Sequence, residues 1–225
     1  TLQPELWVQQ VSAEDVVRRG RGWRVNGEDF DLVVSTLPLT DLPDILRDMP
    51  SPVAQAMRGL EYNGLVCILI ALDRPEQPDL SWVYLPHEVQ GPSNRVTYMS
   101  NYAPGNAPQG KLSFLCEVTL PGGARAPKQL PGGDLEEQVI AGLEHAGLLA
   151  RGEVLFHERS TVKHAYVVFD HAYAARRKTA LAWMEGAGIL PLGRFGRFEY
   201  DNSDQCVIKS RALAAQVLER AARGF

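Results

Sequence analysis

Between an apolar stretch, Ile189-Leu190-Pro191-Leu192, and a long amphipathic pattern, the chain reads Gly193-Arg194-Phe195-Gly196-Arg197-Phe198-Glu199-Tyr200-Asp201-Asn202-Ser203-Asp204-Gln205. The pattern is that of a strand, a glycine turn and a helix start. Helix N-termini carry unsatisfied N–H groups and a partial positive charge, so this arrangement suits an anion or the electron-rich edge of a cofactor. Asn202 or Ser203 is a favoured N-cap for the helix. Arg194 and Tyr200 lie in the same run.

The other chemistry-bearing residues form no comparable constellation. His157 and His164 lie in one strand-like segment at a separation that puts them on opposite faces, against a shared metal. Neither His164 nor His171 has an orienting partner in the sequence, and no Ser-His-Asp or Cys-His pattern is present, so no catalytic residue is assigned. Cys67, Cys116 and Cys206 sit inside apolar patterns as small buried hydrophobes, which fits a reducing, cytoplasmic compartment. Arg197 and the run Arg176-Arg177-Lys178 read as solvated charges. Tyr166 and Tyr173 read as core aromatics with their hydroxyls satisfied.

A chain of 225 residues with 45% apolar composition can bury a substantial core. The net charge of −4, with both signs interspersed, offers no basic patch for a nucleic-acid backbone. No apolar run approaches the length of a membrane span, and no signal-peptide pattern appears at Thr1.

The elements that must carry the turn mix helix and strand throughout. A hairpin is expected about Arg18-Arg19-Gly20-Arg21-Gly22, then a turn at Asn26-Gly27 and one buried strand from Phe30 to Thr36. Short helices follow over Asp41 to Asp48 and Ser51 to Leu60. Strands are expected at Tyr62 to Asp73, Ser81 to Leu85, Arg95 to Ser100 and Lys111 to Leu120, forming one mixed or antiparallel sheet. A helix with Leu135, Val139, Gly142 and Leu143 on its buried face runs to about Leu149. Strand returns over Glu153 to Asp170, helix over His171 to Gly188. The last helix, Ser203 to Arg223, places Cys206, Leu213, Ala214, Val217, Leu218 and Ala221 on one face. The fold class is α/β (α+β).

The Gly193-Arg194 pair, with Tyr200, Asn202 and Asp204, resembles the C-terminal flavin-contacting segment of the FAD-dependent amine oxidase superfamily, which includes protoporphyrinogen-oxidase-like proteins and UDP-galactopyranose mutases. Ser203 stands where that family usually has Met. Val8-Gln9-Gln10-Val11 with Gly22-Trp23-Arg24-Val25, the stretch Asp31 to Pro38, Leu60 through Asp73, and His164-Ala165-Tyr166 with Asp170 and Tyr173 resemble further family segments. The family's Gly-x-Gly-x-x-Gly βαβ unit has no match here, since Gly20-Arg21-Gly22 runs into Trp23-Arg24-Val25.

The resemblance implies a partial FAD-binding Rossmann-like domain over residues 1–38 and 176–225, with a substrate domain over 39–175. It implies FAD as cofactor, contacted by Val8, Gly193, Arg194, Asn202, Ser203 and Asp204. A small-molecule substrate would meet Arg194, Tyr200 and Tyr166. The dinucleotide half would lie upstream of Thr1 as the missing N-terminal half of the same protein, and the chain alone would bind FAD poorly, be inactive and associate through its uncovered apolar surface. The implied activity is FAD-dependent oxidation; the alternatives are a mutase-like isomerase acting on a nucleotide sugar and a non-catalytic binding module.

Overall fold

The computed structural model describes residues 9, 11–20, 22–76, 78–121 and 134–223. Its backbone forms two compact units, one of Thr1–Glu61 with Tyr166–Phe225 and the other of Tyr62–Ala165.

The Tyr62–Ala165 unit is built on long apolar strands. β5 (Tyr62–Leu72) and β8 (Leu112–Leu120) pair antiparallel from Gly64 opposite Leu120 to Leu72 opposite Leu112. With β6 (Trp82–Tyr84), β7 (Arg95–Tyr98) and β9 (Val154–Val167) they make a five-stranded sheet in the order β6-β7-β8-β5-β9. Alternate residues along β5 and β8, Val66, Ile68, Ile70, Phe114, Cys116 and Val118, point to one face and are almost fully buried. The helix α3 (Leu135–His145) covers that face with Leu135, Val139, Ile140 and Leu143. Each such side chain contributes about 1.5–3 kcal/mol on leaving water. The Asp134 side chain caps α3 by accepting the Glu137 N–H at 3.3 Å. On the other face Arg95 pairs with Glu117, whose carboxylate is nearly buried.

The second unit begins with a three-stranded antiparallel meander, β1 (Val16–Arg19), β2 (Gly22–Val25) and β3 (Glu28–Phe30). The expected single strand from Phe30 to Thr36 is divided. β3 ends at Phe30 in the meander, and β4 (Val33–Ser35) begins a separate sheet beyond Asp31 and Leu32. Two roles fall on one apolar run, and periodicity alone does not show where the chain changes sheets.

Two short helices, α1 (Leu42–Ile45) and α2 (Ser51–Arg58), follow; α2 packs against α4 (Tyr173–Ala187) and buries Met57. After α4 the chain enters β10 (Ile189–Pro191), which pairs parallel with β4 through Ile189 opposite Val33 and Pro191 opposite Ser35. The last helix, α5 (Ser203–Arg223), shows a narrower buried face than its pattern implies. Cys206, Leu213 and Val217 are half-buried and Ala221 is buried, but Ala214 and Leu218 are exposed. Among the described residues no helix is long and apolar enough to cross a membrane.

Candidate functional site

The site stands on the segment between β10 and α5. As β10 ends, the Leu192 N–H donates to the Ser35 carbonyl at 2.9 Å and Leu39 N–H to the Phe195 carbonyl at 3.1 Å, which ties the segment to the end of β4. Gly193 has φ of +84°, a backbone state that disfavours a side chain, and no atom lies within 4 Å of where its Cβ would stand. Gly196 meets the opposite requirement, because a Cβ there would fall 2.1 Å from the Leu192 carbonyl oxygen and 3.0 Å from that of Ser35. One glycine leaves open space and the other permits close backbone contact. The loop closes with Arg197 N–H on the Gly193 carbonyl at 2.9 Å and Glu199 N–H on that of Arg194 at 2.8 Å.

This turn brings Arg194 against two tyrosine rings. Its guanidinium carbon lies 4.4 Å from the ring centre of Tyr200 and 5.1 Å from that of Tyr166, near the end of β9. The two rings are 6.1 Å apart and nearly parallel, at 16°. Both contacts fall within cation–π range. The Arg194 Nε and Nη2 atoms are buried and make no hydrogen bond. Buried donors are almost always satisfied, and each orphan costs about 1–3 kcal/mol, so these two nitrogens carry an uncompensated cost in the chain.

α5 opens directly beyond. The Asn202 carbonyl receives the Cys206 N–H at 3.0 Å, and the Gln205 side chain accepts the Asn202 N–H at 3.1 Å, so Asn202 begins the helix. The side chains of Asn202, Ser203 and Asp204 are exposed around its first turn. Val8 lies outside the described residues.

A charged cluster braces the segment from behind. Arg177 of α4 donates Nε to the Arg197 carbonyl at 2.9 Å and pairs through Nη2 with Glu199. Lys209 of α5 reaches Glu199 at 2.5 Å and Asp201 at 2.6 Å. Burial alone would raise the Glu199 carboxyl, but the Lys209 hydrogen bond together with Arg197 and Arg177 holds it below its ordinary value. Burial likewise opposes the charge on Lys209, yet Asp201 and Glu199 raise its pKa. Tyr173 donates its hydroxyl to the Phe198 carbonyl at 2.6 Å, and burial raises its phenol.

Several of these roles differ from the expectation. In the run read as a solvated face, Arg177 is half-buried in this cluster and Arg176 pairs with Asp170 at 2.6 Å, while Lys178 is exposed. Arg197 is not a free surface charge either, since its Nε stands 3.4 Å from Glu199. The sequence marks Tyr173 as an aromatic of a family-like segment, and its spacing of one helical turn from Arg177 puts the two on one face of α4. Nothing local marks Lys209, because its partners lie before the helix it occupies.

The cofactor question turns on what these residues can hold. Orphaned donors on Arg194, a buried Ser35 hydroxyl without a partner, open space over Gly193 and an exposed helix N-terminus form a set suited to a large polar group with phosphate or carbonyl acceptors. The model of the family described as flavin containing amine oxidoreductase matches residues 7–181. The chain belongs to this family, and the cofactor of its class is FAD.

No curated protein sequence matches the chain. Among solved structures, a reduced UDP-galactopyranose mutase superposes with a TM-score of 0.76 at 21% identity, covering 95% of this chain and 48% of the mutase. A protein from Exiguobacterium sp. 255-15, provisionally assigned as a protoporphyrinogen oxidase, gives 0.66 at 12% identity, covering 92% and 46%. A fatty acid isomerase from P. acnes that produces CLA gives 0.60 at 12% identity, covering 91% and 46%. At these identities the likeness is one of fold. The chain spans about half the length of the solved structures it matches.

Proposed function

We propose that this chain forms one wall of the FAD site and the substrate domain of a flavin-dependent oxidoreductase, in which Arg194, Tyr166 and Tyr200 hold an anionic group of the substrate. The observation that carries this reading is the buried Arg194 guanidinium, flanked by two rings and with two donors unpaired. Tyrosine faces support the cation without competing for its N–H groups, so the donors stay available to phosphate or carboxylate oxygens. Gly193 and the first turn of α5, with Asn202, Ser203 and Asp204, would face the flavin, where backbone N–H groups favour added negative charge. FAD supplies the two-electron chemistry when bound.

The FAD site would be completed by a further polypeptide segment, the expected N-terminal half. Among the described residues β4 and β10 form a parallel sheet of two strands, far below the size at which such sheets stand alone. Val34 on β4 is 41% exposed beside an apolar cavity of about 390 Å³ lined by Val16, Val25, Leu32, Leu42 and Leu46. Exposed Val207, Ile208 and Leu218 on α5 support the same reading.

The test is the visible spectrum of the whole flavoprotein, with and without Arg194→Ala. Flavin bands, with substrate use lost in the variant, are the expected result; a colourless protein that takes up no FAD overturns the reading.

A mutase-like isomerisation of a nucleotide sugar is a second reading, favoured by the pairing of Arg194 with Tyr200, which suits a diphosphate. Under anaerobic conditions, substrate-dependent flavin reduction supports the oxidoreductase. Turnover only after pre-reduction, with no net oxidation, supports the isomerase. A purely binding role would show neither.

A further inference from the structure

The run from Phe198 to Asp201 carries a backbone cost that its own residues do not explain. Phe198 is fully buried and holds φ of +53°, the left-handed region that a bulky residue avoids. Such a conformation is strained and persists only where the surroundings over-determine it. Here the surroundings are identifiable. The left-handed residue turns the Arg197 and Phe198 carbonyls toward α4, and two side chains of that helix take them up: Arg177 Nε on Arg197 at 2.9 Å and Tyr173 Oη on Phe198 at 2.6 Å.

The residues on either side of Tyr200 are held as well. Glu199 is gripped by Arg177 and Lys209, and Asp201, 7% exposed, by both of its oxygens on Lys209 at 2.6 and 2.8 Å. Tyr200 between them is 52% exposed, and its ring rests on Arg194. Its backbone is therefore clamped on both flanks while its ring is left to the site.

We propose that Tyr173 and Arg177 of α4 are positioning residues, which set the stacking of Arg194 on Tyr200 and thereby the direction in which the guanidinium donors point. The proposal rests on the reading of Arg194 as an anion-binding group. Neither positioning residue touches the anion. They act through the Arg197 and Phe198 carbonyls, whose displacement would let the Phe198 backbone relax and carry the Tyr200 ring off the guanidinium.

The test is a nuclear magnetic resonance measurement on the whole flavoprotein. A guanidinium held over tyrosine rings has an Nε–H resonance shifted by the ring currents, and burial slows its exchange with water. Tyr173→Phe removes a single hydroxyl, and Arg177→Gln removes the shared grip on Arg197 and Glu199. Both are expected to move the Arg194 Nε–H signal toward its free position and speed its exchange, with Arg177→Lys restoring part of the wild-type signal. If the Nε–H signal and its exchange stay as in wild type in Tyr173→Phe and Arg177→Gln, the positioning role is wrong.

Titration with inorganic pyrophosphate tests the underlying reading separately. Wild type is expected to bind it, Arg194→Ala to lose binding and Tyr173→Phe to weaken it about tenfold, equivalent to roughly 1.4 kcal/mol. A wild-type flavoprotein that ignores pyrophosphate, or Arg194→Ala that binds it equally well, removes the anion-site reading and leaves the positioning result to the resonance data. Loss of binding in Arg194→Ala with unchanged affinity in Tyr173→Phe overturns the positioning proposal alone.

Discussion

The Arg194 guanidinium carbon lies 4.4 Å from the centre of the Tyr200 ring, and two of its nitrogens are buried without an acceptor. An arrangement of this kind costs stability. Replacing Arg194 by Met, which keeps much of the volume and removes the orphaned donors, should raise the stability of the chain by about 1 kcal/mol. Urea unfolding measures it. A clear loss of stability would mean that the guanidinium is satisfied in solution.

Arg194→Lys keeps the charge but not the planar fork. Binding of a phosphate-bearing substrate by the whole flavoprotein should weaken at least about tenfold, as expected for loss of one charge-assisted hydrogen bond. The ratio of substrate dissociation constants checks this, and equal affinities would reduce Arg194 to a point charge.

Gly193 and Gly196 should respond differently to alanine. At Gly193 the space is open and the cost is backbone strain alone, about 1–2 kcal/mol. At Gly196 the new Cβ meets two carbonyl oxygens, so the cost should exceed that and reach about 3 kcal/mol. Comparing the two unfolding midpoints tests the ordering.

The Glu199–Lys209–Asp201 cluster gives the chain a pH window. The folded pKa of Glu199 is depressed, so its contribution is present above the unfolded carboxylate value, about 4.3, and is lost as pH falls through the folded value. That of Lys209 is raised, so its contribution is complete below about 10.4 and is lost as pH rises through the folded value. Lys209→Met should flatten the alkaline limb and destabilise at neutral pH by about 1–3 kcal/mol, because Asp201 loses its cation. The 39% exposure of the Lys209 side chain keeps the effect below that of a fully buried pair. Urea midpoints followed across pH provide the check.

Exposed Val207, Ile208 and Leu218 should make the chain by itself self-associate. Sedimentation velocity of wild type is expected to show species larger than the monomer, and Ile208→Glu with Leu218→Lys should shift them toward monomer. A wild-type chain that sediments as a monomer at all concentrations would show that this face needs no cover.

What the sequence determined by itself is local. The strand, turn and helix start from Ile189 to Ser203, the alternation that builds β5 and β8, and the buried face of α3 follow from residue types at short spacing. The Gly193-Arg194 pair with Tyr200 and Asn202, taken with the resembling segments from Val8 to Tyr173, points to the flavoprotein family, and the family model matches residues 7–181. The tertiary structure decided which distant residues complete the site. Tyr166 reaches Arg194 only because β9 delivers it there, and Arg177, from a run read as solvated, joins Tyr173 in holding the turn. It also decided that the run from Phe30 to Thr36 serves two sheets and that Leu218 faces outward. Periodicity records that a residue is apolar or charged, but its partner is set by how the elements pack, and that information is spread over the whole chain.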